Sequence, residues 1–206
     1  MDTTLQTNTI ACYKKGYTSV CAAEETGETV VPDRMPDIGM IANTGACVLL
    51  RSKEATDGNV TMQGEIQVSV LYIPDGESGL RALSVSLPCT ASFDSPEITQ
   101  ECIPVGTMRV CGVEARLLNP RKILVKAEVV TELTCFIRGE ASYCKGESGS
   151  VGSLTQLHCT TAKFSTVAAV CERTFVVADE YALPSSAAGG EVVRKNVQFR
   201  VEDVKT

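Results

Sequence analysis

The chain has no tryptophan, a single histidine, and only five tyrosines and five phenylalanines among its 206 residues. So few aromatics leave the core to Val, Leu, Ile and Ala, side chains that suit a pleated, half-buried surface. The lone imidazole, His158, adjoins Cys159; on a strand the two would point to opposite faces, which speaks against a Cys-His nucleophile. No Cys-x-x-Cys occurs and the closest cysteines are nine positions apart, a spacing unlike that of structural zinc sites. The glycines show neither P-loop nor Gly-x-Gly-x-x-Gly order, so phosphate cradling is not supported. Clustered Lys and Arg are missing and the formal charge is -6, which argues against nucleic acid as a partner. No apolar run approaches the roughly 18 residues of a membrane span. No basic region followed by an apolar run opens the chain, so synthesis in the cytoplasm without a secretory signal is expected. The carboxylate pairs Glu24-Glu25 and Asp179-Glu180 lie in or beside polar, turn-like sequence and read as solvated charge. The expectation is a protein that is not an enzyme, with no catalytic, cofactor-binding or metal-ligating residue.

What the chain does carry is a period of two. Between the turn signals Asp57-Gly58 and Asp75-Gly76, Ile66, Val68, Val70 and Tyr72 alternate with Glu65, Gln67 and Ser69, the pattern of an antiparallel strand with one buried face. Gly45 to Lys53 reads as a strand before it. Leu80 to Phe93 reads as one after it, with Pro88 ending the ladder or sending it to an edge. A proline-bounded loop from Ser95 to Pro104 holds Cys102. A strand resumes at Met108 with Cys111, Val113, Ala115 and Leu117 on one face, and the turn Asn119-Pro120-Arg121 leads into Lys122 to Phe136. In that last run Ile123, Val125, Ala127, Val129, Leu133 and Cys135 share a face. Cys111 and Cys135 therefore fall on core phases, as small hydrophobes.

The flanks are less patterned. Residues 1–30 are Thr-rich without a sustained period and read as an extended N-terminal arm. Residues 31–137 form the β module, opened by two Pro-Asp pairs whose Asp33 or Asp37 could cap one helical turn carrying Ile38. Residues 138–153 are Gly- and Ser-rich and mark a loop or linker. Residues 154–206 form a second β segment, with a strand at Arg173 to Tyr181. In a last strand, Val197, Phe199 and Val201 alternate with Gln198, Arg200 and Glu202. A neighbouring molecule can complete such a strand, so Val197, Phe199 and Val201 are a candidate strand-exchange segment. The fold class expected is all-β, an antiparallel sandwich-like module with an extended N-terminal arm and a C-terminal strand.

VPDRMPDI, DGNVTMQGEIQVSVLYIPDGE and VEARLLNPRKILVKAEV together resemble the SPOCS domain, the spore-coat assembly module of clostridial SipL-type proteins. The residues that carry the resemblance are the Pro-Asp pair near Ile38, the Asp57-Gly58 turn, Gly64, the Leu71-Tyr72-Ile73-Pro74 ending, and Arg116-Leu117-Leu118-Asn119 with Arg121-Lys122. It covers roughly residues 30 to 136. The run after Leu183-Pro184 looks like the start of a second, partial copy.

The resemblance implies a non-enzymatic module that acts through protein contacts in building the layers around an endospore. It leaves two functions open. One is a structural protein that self-assembles into a fibre or lattice, by arm or strand exchange, in the spore coat or as a spore-surface appendage. The other is an adaptor that binds another coat morphogenetic protein without polymerising. The setting also suits ten cysteines, at 12, 21, 47, 89, 102, 111, 135, 144, 159 and 171. Thiols made in a reducing mother cell would oxidise after that cell lyses and lock an existing assembly. Sequence separations assign no pairs. Cys12 and Cys21, on a flexible arm, and Cys102 and Cys144, in polar loops, are the candidates for intermolecular disulfides.

Overall fold

The turns set the frame. Asp57-Gly58 joins two strands whose residues Thr56 and Asn59 face each other, and Gly58 has a φ of 84°, open to glycine and disfavoured for other residues. The computed structural model describes residues 4–148, 163–173, 176–182, 184–187, 192–195 and 197. Its strands are β1 (Thr4–Val30), β2 (Ile38–Thr56), β3 (Asn59–Pro74), β4 (Arg81–Asp94), β5 (Ile103–Asn119) and β6 (Lys122–Ser148).

They form two three-stranded antiparallel sheets, ordered β1-β6-β5 and β2-β3-β4, which pack face to face as an all-β sandwich. The central strands carry the clearest alternation. On β3, Val60, Met62, Ile66, Val68, Val70 and Tyr72 are buried; on β6, Ile123, Val125, Ala127, Val129, Leu133 and Cys135 are buried. Leu83, Val85, Leu87, Cys89, Ala91 and Phe93 of β4 complete the inner face. Each large aliphatic side chain withdrawn here contributes about 1.5–3 kcal/mol. Pro88 and Pro104 both lie on edge strands, where a missing amide donor can face away from the ladder.

The core has two clusters, one around Val31, Ile38, Tyr72 and Val125 and one around Val60, Phe93, Ile98 and Leu133. Met108 packs against both. At this crossing β3 and β5 exchange side chains into glycines. A Cβ at Gly106 would meet Met62 Cε at 2.7 Å and Glu132 O at 2.8 Å, and one at Gly64 would meet Met108 Sδ at 2.7 Å. Gly27 of β1 likewise leaves the space that Leu87 of β4 fills.

Several sequence expectations need revision. Residues 4–30, expected as an arm outside the core, form β1, paired with β6 from Thr4 opposite Ser148 to Val30 opposite Lys122. Its inward residues between Tyr17 and Thr29 include Ser19, Ala23, Glu25 and Gly27, so an edge strand held mainly by its ladder shows no apolar period. Lys126 with Glu24, at 2.6 Å, and Lys122 with Glu28 add cross-strand ion pairs. Residues 138–148, expected in a loop, continue β6, and β5 begins at Ile103 instead of Met108. Past Phe136, β6 has lost β5 and pairs with β1 alone, so the Gly- and Ser-rich stretch becomes one side of a two-stranded ribbon. The expected helical turn at the Pro-Asp pairs is a simple turn closed by Met35 N donating to Pro32 O at 2.8 Å, with Ile38 opening β2.

The described residues of 173–181 form no strand, and Val176 is 91% exposed. Of the strand-exchange segment, Phe199 and Val201 lie outside the described residues, as do His158 and Cys159; Val197 is in no strand and is 69% exposed. The later chain touches the sandwich at a few points: Tyr13 N donates to Val167 O at 2.8 Å, Lys53 pairs with Glu172 at 2.5 Å, and Arg194 donates to Asn43 Oδ1 at 2.6 Å.

Candidate functional site

The two Pro-Asp pairs, the Leu71-Tyr72-Ile73-Pro74 ending and the Asn119-Pro120-Arg121 turn converge on one corner of the sandwich. The hairpin Asn119-Pro120-Arg121-Lys122 joins β5 to β6, and Asn119 Oδ1 accepts from Arg121 N at 2.9 Å, a local bond that favours the turn. Arg121 then reaches across the linker between β1 and β2. Its Nη1 donates to Asp37 Oδ1 at 2.7 Å and to Met35 O at 3.1 Å; its Nη2 donates to Val31 O at 2.9 Å and to Asp33 Oδ1 at 3.3 Å. The hydrogen bond it donates to Asp37, foremost among the causes, raises the guanidinium pKa above its ordinary value. The backbone closes the same joint: Val31 N donates to Arg121 O and Ile38 N to Pro120 O, both at 2.8 Å. Tyr72, whose ring is buried, donates its hydroxyl to Pro36 O at 3.2 Å, and Asp75 N donates to Asp37 O at 2.9 Å. Burial is the main cause that raises the Tyr72 phenol pKa. The two Pro-Asp pairs, the Leu71-Tyr72-Ile73-Pro74 ending and the Arg121 hairpin are thus one structural joint. It positions strands; it presents no nucleophile, base or metal ligand set.

The thiols fall into two groups. Of the four sequence candidates for intermolecular bonds, Cys144 is exposed on the ribbon. Cys12, expected on a free arm, is 6% exposed, and Cys21, half-buried, packs against the second core cluster. Cys102, expected in a polar loop, is 6% exposed, inside that same cluster. Cys135 takes its expected core place at 0% exposure. Cys111 does not. The register of β5 against β6 slips between Val110 and Gly112, so Cys111 is the extra residue of a bulge and turns outward while Val110 and Val113 both pack inward. Three exposed thiols among the described residues were not candidates for intermolecular bonds: Cys47, Cys171 and Cys111, the last expected in the core. For Cys47 the signal was present, since it alternates with Ala46 and Val48 on a strand whose inner face those two occupy.

The clefts among the described residues are shallow. One of ≈480 Å³ beside the corner is lined by Arg34, Met35, Pro36, Arg81, Ala82, Val192 and Val193; one of ≈550 Å³ lies on the outer face of β2-β3-β4 next to Cys47. Among the described residues no group of three or more His, Cys, Asp or Glu is placed to hold a metal ion, and no helix is long and apolar enough to cross a membrane.

Residues 37–118 match the model of the family described as SipL, SPOCS domain. No curated protein and no solved structure matches the chain. The matched span starts at Asp37 of the corner and takes in β2, β3, β4 and β5 as far as Leu118. β6, to which β5 is hydrogen-bonded, and β1 lie outside it. Residues 37–118 are thus similar to the SPOCS domain of the SipL family, and in this chain they are built into a sandwich that β1 and β6 complete.

Proposed function

We propose that this chain is a non-enzymatic structural protein that associates with copies of itself in the spore coat or on the spore surface, where disulfides then fix the assembly. The SPOCS family supports a spore-coat-related role exercised through protein contacts. Self-association rests on one feature above all, the β1–β6 ribbon. Among the described residues it has no third strand beyond Phe136, its outer edges are paired only where Tyr13 meets Val167, and Cys144 stands exposed on it. An open ribbon invites strand addition by another molecule. The run at Val197 to Val201, described only at Val197, is the donor strand in this reading. A head-to-tail contact of that kind extends into a fibre. Cross-linking then falls to Cys144 with Cys47, Cys111 and Cys171, the exposed thiols among the described residues, whereas Cys12, Cys21 and Cys102 reach a neighbour only if β1 or the 95–102 linker opens.

A second reading, an adaptor for another coat protein, draws support from the cleft that Arg34 and Arg81 line together with Met35, Pro36 and Ala82, a surface for an acidic segment. Negative-stain electron microscopy and sedimentation of the reduced chain separate the two. Ordered multimers before oxidation support self-assembly; a monomer that saturates with one partner supports the adaptor.

A further inference from the structure

Cys102 ends the linker from β4 to β5, where its amide donates to Thr99 O at 3.0 Å in a closing turn. Two residues on, Pro104 of β5 faces Cys135 of β6. Cys102 thus lies two residues before the Pro104–Cys135 pair, and both cysteines are buried. Both side chains belong to the second core cluster, with Val60, Met62, Phe93 and Ile98 around them. After burial, the neighbouring Cys102 side chain adds to the causes that raise the Cys135 thiol pKa.

We propose that Cys102 and Cys135 form an intrachain disulfide, which ties the 95–102 linker to the central strand β6 and takes Cys102 out of the set that joins one chain to another. A disulfide spans Cα separations of roughly 4.4–6.8 Å, and Cys102, at the end of a linker and inside the same buried cluster as Cys135, reaches that range with a small shift of the linker. The chemistry is thiol–disulfide exchange with a soluble disulfide oxidant. Cys102, at the linker and the less buried of the two, attacks the oxidant as a thiolate; one sulfur–sulfur bond breaks, a mixed disulfide forms and one small thiolate leaves. Cys135, its proton passed to that leaving thiolate, attacks the Cys102 sulfur and expels the second. Two protein thiols are oxidised and one oxidant disulfide is reduced to two thiols. Burial keeps Cys135 protonated, so Cys102 is the group that opens the exchange. The bond closes a long loop through β5, and its effect on the unfolded chain makes it stabilising.

The test uses the full chain, prepared with reductant and then exposed to glutathione disulfide. Remaining thiols are alkylated in denaturant, followed by trypsin digestion and fragmentation mass spectrometry. The expected product joins Ala82–Arg109 to Ala127–Arg138, with fragments placing the bond at Cys102 and not at Cys89, which shares the first peptide. Oxidation should also raise Tm in the wild type and in Cys89→Ala, but not in Cys102→Ala or Cys135→Ala. Should Cys135→Ala fail to fold, Cys102→Ala and the wild-type peptide map decide. Alkylation of both thiols after oxidation, a Cys89–Cys135 bond, or either cysteine joined to a second chain would overturn the proposal.

Discussion

At the scale of single residues, Arg121 shows how much one side chain can hold. It satisfies two linker carbonyls and two carboxylates at once, which a planar guanidinium does and an ammonium does not. Arg121→Lys should therefore lower Tm nearly as far as Arg121→Ala, while Arg34→Ala, a neighbouring arginine on the cleft, should leave it almost unchanged; thermal melts check both. Cys135 offers a test in pH. Burial, with the neighbouring Cys102 sulfur, pushes its thiol from an ordinary 9.0 up to about 12. Below pH 9 the folded and unfolded chains both keep that proton. Between 9 and about 12 the unfolded chain loses it and the folded chain does not, so stability falls as pH rises. Denaturant titrations in reductant should show this alkaline loss, and Cys135→Ala should reduce it. The burial of Cys135 could be read from its alternation with Val129 and Leu133. The exposure of Cys111 could not, because a bulge shifts the face by one residue without a mark in the apolar pattern. Asp33 and Asp37 stood out as Pro-Asp pairs, but only the fold reveals that they answer Arg121.

At the scale of elements, the strands with regular alternation, β3, β4 and β6, were legible because each buries one face under large aliphatic side chains. β1 was not, because it is an edge strand whose inward side is small or polar and whose pairing with β6 spans almost the whole described sandwich. The contacts between sheets are equally silent in sequence, since Met62 over Gly106 and Met108 over Gly64 join distant positions. Gly106→Ala should destabilise by about 1–3 kcal/mol, the cost of overpacking a full core, because the added carbon meets the Glu132 carbonyl as well as Met62. Gly64→Ala should also destabilise, since the added carbon meets the buried Cys89 sulfur at 2.9 Å as well as Met108, but by less than Gly106→Ala because its backbone contact, Leu49 O at 3.2 Å, is looser. Urea titrations of the two variants rank them. The SPOCS match itself covers residues 37–118 and leaves β5 without the strand it pairs with. A fragment of residues 37–118 should show little cooperative unfolding by circular dichroism, whereas one of residues 4–148 should melt as a unit.

At the scale of the whole molecule, the all-β sandwich and the likeness to the SPOCS domain were both legible, because alternation, turn glycines and the Pro-Asp runs are local in sequence. How the chain presents itself to others was less so: whether a cysteine faces solvent depends on strand register, which moved Cys12 and Cys102 inward and left Cys47, Cys111, Cys144 and Cys171 outside. The proposed assembly joins copies through the open ribbon and fixes them through those outer thiols. The most direct measurement is a denaturing gel of the oxidised full chain, run with and without reductant. The account expects a ladder of multimers that survives denaturant and collapses to a single monomer band on reduction; a monomer in both lanes would contradict it.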